Sequence, residues 1–211
     1  MEIHLISYGD KGYELRSGYF KALAVASSFF DKVTIFRYED FDIEFEKEFH
    51  KALQLTLGGG VVWRPYFIKR ALQDMEDGDI LVYGDPDFQI NKLGRERFDQ
   101  YLDQLNQSET GVLGFQHSDL KYTKREVFDY FNAVSARETG QLISNVIFLK
   151  KCNHSVQIVD FWNDTLSQML TLPEEEQDPA NEPKDFMGQR QSQGIWTMLL
   201  KIYAAVTSCP D

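Results

Sequence analysis

The chain has 211 residues, a formal net charge of −11 at pH 7 and two cysteines, enough length for one sizeable α/β core without disulfide staples. Its acidity, with no Lys/Arg run to build a basic face, speaks against a nucleic-acid partner. A small anionic ligand would need a local counter-charge, and a divalent cation is the usual device.

In chain order, the apolar run Ile3 to Ile6 reads as a buried first strand. It ends in the loop Tyr8-Gly9-Asp10-Lys11-Gly12. A helix follows from Leu15 to Phe30, with Phe20, Leu23, Ala24 and Ser27 on one face, then a β-branched and aromatic strand from Val33 to Phe36. This strand-loop-helix-strand start opens a nucleotide-binding α/β fold. Glu39 to Gln54 reads as a mostly solvated helix. Gly58-Gly59-Gly60 breaks the chain, and Pro65 sits in the first turn of the next helix, where a missing N–H costs nothing. That helix has a stripe of Phe67, Ile68, Ala71, Leu72 and Met75 and is expected to end near Asp77-Gly78. Asp79 to Tyr83 is the clearest buried strand.

A helical stripe of Phe98, Tyr101, Leu102 and Leu105 follows, then a strand from Val112 to Phe115. Thr123-Lys124-Arg125-Glu126 reads as a capping box opening a helix. Leu142 to Leu149 is a long β-rich run, and Val156 to Leu170 is amphipathic. Residues 172–186 are acidic and proline-bearing and read as a mobile loop. The last helix spans about Gln191 to Val206. The start Met1-Glu2-Ile3-His4 has no signal-peptide pattern, and no stretch reaches the ~18 uncharged apolar residues of a spanning helix. Cys152 and Cys209 have no zinc-like spacing and suggest a reducing, cytoplasmic compartment. The whole is expected to be a single domain over 1–211, cut from a longer multidomain chain.

The chemistry centres on Gly84-Asp85-Pro86-Asp87, which follows the buried strand directly. Pro86 cannot donate to a ladder, so the chain leaves the sheet there. Two carboxylates then sit at the C-terminal edge, where open α/β sheets bind ligands. Close carboxylates repel unless a cation sits between them, and a hard divalent ion with oxygen ligands meets that need and bridges to a diphosphate. The plain alternative is a solvated acidic turn. Asp77-Gly78-Asp79 precedes the strand and reads as a turn with a C-cap glycine.

With these residues in view, DILVYGDPDF (Asp79 to Phe88) resembles the Asp-x-Asp segment of GT-A fold glycosyltransferases. GGVVWRPYFIKRAL (Gly59 to Leu72) is similar to a Gly-rich, Trp-Lys-Pro-Tyr segment of a group of these enzymes related to the retaining, glycogenin-like type. QLISNVIF (Gln141 to Phe148) is similar to their sugar-pocket strand, and Arg190-Gln191-Ser192-Gln193 to their Arg-His-Asp-Gln segment. The resemblance covers most of the chain and extends to the glycosyltransferase domains that build chlorovirus capsid glycans. It implies an α/β GT-A-like nucleotide-diphospho-sugar transferase fold, a central mixed sheet flanked by helices.

By the same resemblance the chain is a rhamnosyl- or related hexosyltransferase using a UDP-sugar donor and a glycan or glycoprotein acceptor. The metal is Mn2+, with Mg2+ an alternative, held by Asp85 and Asp87, and the outcome leans to retention. Tyr8, Gly9, Arg16, Tyr83 and Asp85 are expected to bind the nucleotide. Gln141, Ser144, Asn145 and Ser192 are expected to line the sugar pocket, and Gln193 and Arg64 to be catalytic. The departures are Arg64 where the family has Lys, Ser144-Asn145 for Ala-Gly, and Ser192 where it has a carboxylate. Arg64 still contacts phosphate, as a fork rather than a point.

Blander readings accompany these. Tyr8 and Gly9 suit an ordinary βα turn. The triple glycine is followed by no P-loop lysine, and Arg16 and Lys21 suit a solvated helix face. His4 reads as a local strand residue, and His117 follows a strand without ligand spacing. Two other functions stay open: a nucleotidyltransferase, disfavoured by the few glycines after the first strand, and a catalytically inactive sugar-nucleotide-binding domain.

Overall fold

The computed structural model describes residues 1–10, 12–53, 62–117, 123–133, 135–136, 140–170, 191–203 and 207–208. The triple glycine 58–60, residues 172–186, Arg190 and Cys209 lie outside them. The elements are β1 (Ile3–Tyr8), α1 (Glu14–Ser27), β2 (Lys32–Phe36), a 3-10 turn (Tyr38–Asp40), α2 (Ile43–Leu53), α3 (Trp63–Gln73) and β3 (Ile80–Gly84). There follow α4 (Arg95–Gln107), β4 (Val112–Gly114), β5 (Gln116–His117), α5 (Arg125–Tyr130), β6 (Gln141–Leu142), β7 (Val146–Lys150), α6 (Asn153–Leu170), α7 (Gln191–Tyr203) and β8 (Thr207–Ser208).

Among the described residues the main sheet runs β2-β1-β3-β7-β4-β8, and β5 pairs with β6 separately. Strands β1, β2 and β3 are parallel, while β7 lies antiparallel between β3 and β4. The sheet is therefore mixed and flanked by helices, as expected. The order β2-β1-β3 makes the chain leave β1 in opposite senses, so a topological switch point falls between β1 and β3. Their carboxyl ends, at Tyr8 and Gly84, are where open α/β sheets of this order bind ligands.

Alternation along the strands divides the core. Leu5, Ile80 and Val82 pack under α1 and α4 with Phe20, Phe98 and Leu102. Ile6, Tyr8, Leu81 and Tyr83 face the other way, against Phe67 and Ile68 of α3, Trp162 of α6 and Trp196 of α7. Trp162 and Trp196 lie 4.6 Å apart between centroids and lock α6 to α7, each contributing about 2–3 kcal/mol by burial.

Several expectations need correction. Glu39 to Gln54 is not one solvated helix: a 3-10 turn precedes α2, and Phe45 and Phe49 bury one face of it. The third helix stops at Gln73 with Asp74 as its C-cap, so Gly78 does not cap it; Gly78 serves a turn four residues beyond Asp74, at φ +91°. Thr123 is no capping box, because the N-cap of α5 is Lys124 without a side-chain bond. The Thr123 hydroxyl instead accepts from the buried Gln141 amide. The run Leu142 to Leu149 is broken by Ile143-Ser144-Asn145 between β6 and β7.

Candidate active site

Asp85 leaves β3 still paired, its N–H reaching the Asn145 carbonyl at 2.9 Å. That bond extends the β3–β7 ladder, in which Gly84 faces Val146. The ladder therefore carries Ser144-Asn145 to the metal-candidate turn, a link that the sequence does not display.

Asp85 meets the α3 side of the sheet through Arg64 and the buried Tyr83. Tyr83 Oη donates to Asp85 Oδ1 at 2.6 Å and accepts from Trp63 Nε1 at 3.3 Å. Arg64, at the second position of α3, donates from Nε to Oδ1 at 3.3 Å and from Nη2 to Oδ2. Its Nη1 donates to Ser144 Oγ at 2.8 Å. Burial pulls the Arg64 pKa down, but the Asp85 charge and hydrogen bonds outweigh it and leave it above the usual value. Burial, then the Asp85 charge, pushes Tyr83 well above the ordinary phenol range.

Asp87 is held from the other face. Arg16, on α1, donates from Nη1 to Asp87 Oδ1, and both side chains are more than half exposed. The Arg16 guanidinium also sits 5.3 Å from the Tyr13 ring centroid. The two carboxylates of one turn are thus each taken by an arginine, from helices on opposite faces of the sheet.

The donor set can be tested against a divalent ion. It is all oxygen, which suits a hard cation that keeps other ligands from water and phosphate. A carboxylate offers about four lone-pair sites. The bonds above use two on Oδ1 and one on Oδ2 of Asp85, and one on Oδ1 of Asp87. Among the described residues one site on Asp85 Oδ2, one on Asp87 Oδ1 and both on Asp87 Oδ2 stay open, so the residues fit a cation bound through single oxygens. A separate group, Glu2, His4 and Asp79, brings possible ligand atoms within 4.8 Å of one another, but at the opposite end of β3. Asp79 is already used there, accepting from the N–H groups of Glu2 at 2.7 Å and Glu76 at 3.2 Å. These bonds, the Glu2 one foremost, lower its pKa. His4 Nε2 lies 3.0 Å from Glu2 Oε2, a local strand contact as expected.

Tyr8 is buried, its ring walled by Trp63 at 4.8 Å, Phe67 at 5.5 Å and Phe41 at 5.6 Å between centroids. Burial, then Asp10, raises its pKa well above the usual value. A Cβ on Gly9 would stand 2.6 Å from Ser17, so glycine lets α1 close on the strand end. Lys21 is exposed.

A second polar seam joins β6 to α7. Gln193 Nε2 donates to Gln141 Oε1 at 2.7 Å, and Gln141 Nε2 donates to Thr123 Oγ1. All three residues are buried. Among the described residues the buried Ser192 Oγ has no partner, nor has Asn145 Oδ1, while the Ser192 carbonyl accepts from Trp162 Nε1 at 3.2 Å. Gln141, Ser192 and Gln193 thus come together, and Ser144 and Asn145 sit instead with Arg64 and Asp85. Sequence reasoning missed Trp63 and Thr123. Trp63 is signalled only as the neighbour of Arg64, and Thr123 reads locally as a helix cap, since its partner Gln141 is remote in the chain.

No family model matches the chain, and no curated protein matches it. Among solved structures it is similar to a glycosyltransferase involved in glycosylation of the major capsid of PBCV-1, at 12% identity and TM-score 0.44 over 90% of this chain and 82% of that one. It is similar to the galactosyltransferase LgtC, crystallised with donor and acceptor sugar analogues, at 11% identity and TM-score 0.47 over 98% and 72%. It is also similar to the glycosyltransferase GlyE of Streptococcus pneumoniae TIGR4, at 15% identity and TM-score 0.45 over 98% of this chain but only 46% of that one. All three are described as glycosyltransferases. At such identities none of them assigns a role to a residue here. Among the described residues no helix is long and apolar enough to cross a membrane.

Proposed function

We propose that the chain is a metal-dependent glycosyltransferase, moving a sugar from a UDP-linked donor to a hydroxyl of a glycan or glycoprotein acceptor. The observation that carries this reading is the Asp85-Pro86-Asp87 turn at the β1/β3 switch point, with the buried Arg64 fixed behind it. When bound, a divalent cation, Mn2+ or Mg2+, supplies Lewis-acid polarisation and neutralises charge on the leaving diphosphate. Asp85 and Asp87 would hold it through their open oxygens.

Arg64 shares the leaving-group charge. Its fork is pinned by Asp85 and Ser144, so little reorganisation is needed as that charge develops. Arg16 and the main chain at Tyr8-Gly9 border the nucleotide. Gln193, held by Gln141, orients the sugar near its anomeric carbon. A rhamnosyl or related hexosyl unit, retention, capsid-glycan assembly and a cytoplasmic setting follow from the sequence resemblance alone.

Two observations favour a second reading, a sugar-nucleotide-binding domain without turnover. Ser192 stands where the related segment has an acid, and both turn carboxylates already carry arginines. Nucleotide release from UDP-, GDP- and dTDP-sugars, measured with Mn2+ and with glycan acceptors, separates the two. Turnover of a UDP-sugar supports transfer. Metal-dependent binding without release selects the inactive domain, and no binding at all refutes both.

A further inference from the structure

The two arginine–carboxylate pairs differ in how firmly they are made. Arg64 and Asp85 have side chains only 10% and 20% exposed. Arg64 engages both Asp85 oxygens and Ser144, with the Tyr83 ring centroid 5.9 Å away. Withdrawing it would strand a buried charge, which is strongly unfavourable. Arg16 and Asp87 are 62% and 52% exposed and share a single bond. An exposed pair of this kind contributes little and gives way to a competing ion. Among the described residues the Arg16 bond goes to Oδ1, and no bond reaches Asp87 Oδ2.

We infer that Arg16 is an exchangeable internal counter-cation. It neutralises Asp87 while the site holds no donor, yields Asp87 to a divalent cation when a nucleoside diphosphate enters, and turns its guanidinium to the phosphates. Asp85 is then the fixed carboxylate, committed to Arg64, and Asp87 the one whose counter-ion changes. The inference rests on the proposed glycosyltransferase reading for its ligand.

Three features make the exchange workable. Arg16 springs from the first turn of α1, whose N-terminal N–H groups lie toward the same sheet edge and favour an anion. A guanidinium released from Asp87 therefore remains beside the diphosphate. Its stacking on Tyr13 at 5.3 Å steadies the planar group without using its N–H donors. Third, exchange keeps the turn neutralised throughout, so that Asp85 and Asp87 never face each other bare.

The test is Mn2+ titration of the full chain, read by electron paramagnetic resonance, first without nucleotide and then with UDP. Without nucleotide, Arg16→Ala is expected to bind Mn2+ about two- to tenfold tighter than the parent, because a competing cation is gone. Arg16→Gln should behave alike, and the gain should vanish in Arg16→Ala/Asp87→Asn. With saturating Mn2+, Arg16→Ala should bind UDP more weakly than the parent. If Arg16→Ala binds Mn2+ no tighter than the parent while UDP still brings Mn2+ to both, the exchange is wrong and the glycosyltransferase reading stands. If neither protein takes up Mn2+ with or without UDP, the inference and the metal-dependent reading fall together.

Discussion

Arg64 spans both oxygens of Asp85 and at the same time donates to Ser144, so one guanidinium ties the end of β3 to the turn before β7. Arg64→Ala should cost about 3 kcal/mol of stability, since Asp85 loses its counter-charge in a partly buried site. Turnover should fall about 10²–10³-fold, with donor affinity changed far less. Arg64→Lys keeps the charge but cannot span Asp85 and Ser144 together, so it should restore more stability than turnover. Denaturant midpoints and kcat on the same variants check both halves.

Gln193 hangs on a chain of buried amides ending at Thr123. Gln193→Ala strands the Gln141 carbonyl and should cost about 1–3 kcal/mol, with lower turnover and donor affinity kept. Thr123→Val cuts the same chain one link further from the sugar. It should cost stability of similar size while leaving kcat near parental. Equal kcat losses in both variants would make Gln193 a purely structural residue.

Tyr8 and Tyr83 keep their protons in the folded state well past the ordinary tyrosine range, through burial and then the charges of Asp10 and Asp85 respectively. The unfolded chain ionises these groups near pH 10. Stability is therefore fully present below pH 10 and falls above it, by about 1.4 kcal/mol per pH unit for each group. Titration of tyrosinate absorbance should show at least these two of the ten tyrosines silent until the protein unfolds.

Asp79 is held charged by the Glu2 and Glu76 N–H groups, which lower its folded pKa below the usual 3.8. Its contribution is present above that value and is lost as pH falls through the depressed one. Asp79→Asn should cost about 1 kcal/mol, flatten the acid limb of the stability profile, and leave donor affinity unchanged.

Legibility in the sequence followed the range of the interactions. Ile80 to Gly84 and the motif after it were readable because an apolar run and a following Pro86 are local signals. The stripe Phe98, Leu102, Leu105 was readable because helical spacing is periodic. Thr123 was misread because its local pattern matches a capping box, yet a buried Gln141 amide has the stronger need for its hydroxyl. The segment Glu39 to Gln54 reads as mostly solvated because acidic neighbours mask the spacing of Phe45 and Phe49, and only the aromatic wall of Phe41, Tyr66 and Phe67 makes sense of their burial. The arginines on Asp85 and Asp87 were legible as charges but not as partners, since 21 and 71 residues separate each pair.

The most direct measurement is calorimetry of UDP binding with and without Mn2+ for the parent, Asp87→Asn and Asp85→Asn, with GDP and ADP as competitors. Asp87→Asn matters most, because its exposed pair can be broken without disturbing the core. The account predicts UDP binding to the parent that needs Mn2+ and outcompetes GDP and ADP, and loss of that Mn2+-dependent binding in both folded variants. Parental Mn2+-dependent UDP binding in Asp85→Asn and Asp87→Asn would contradict it.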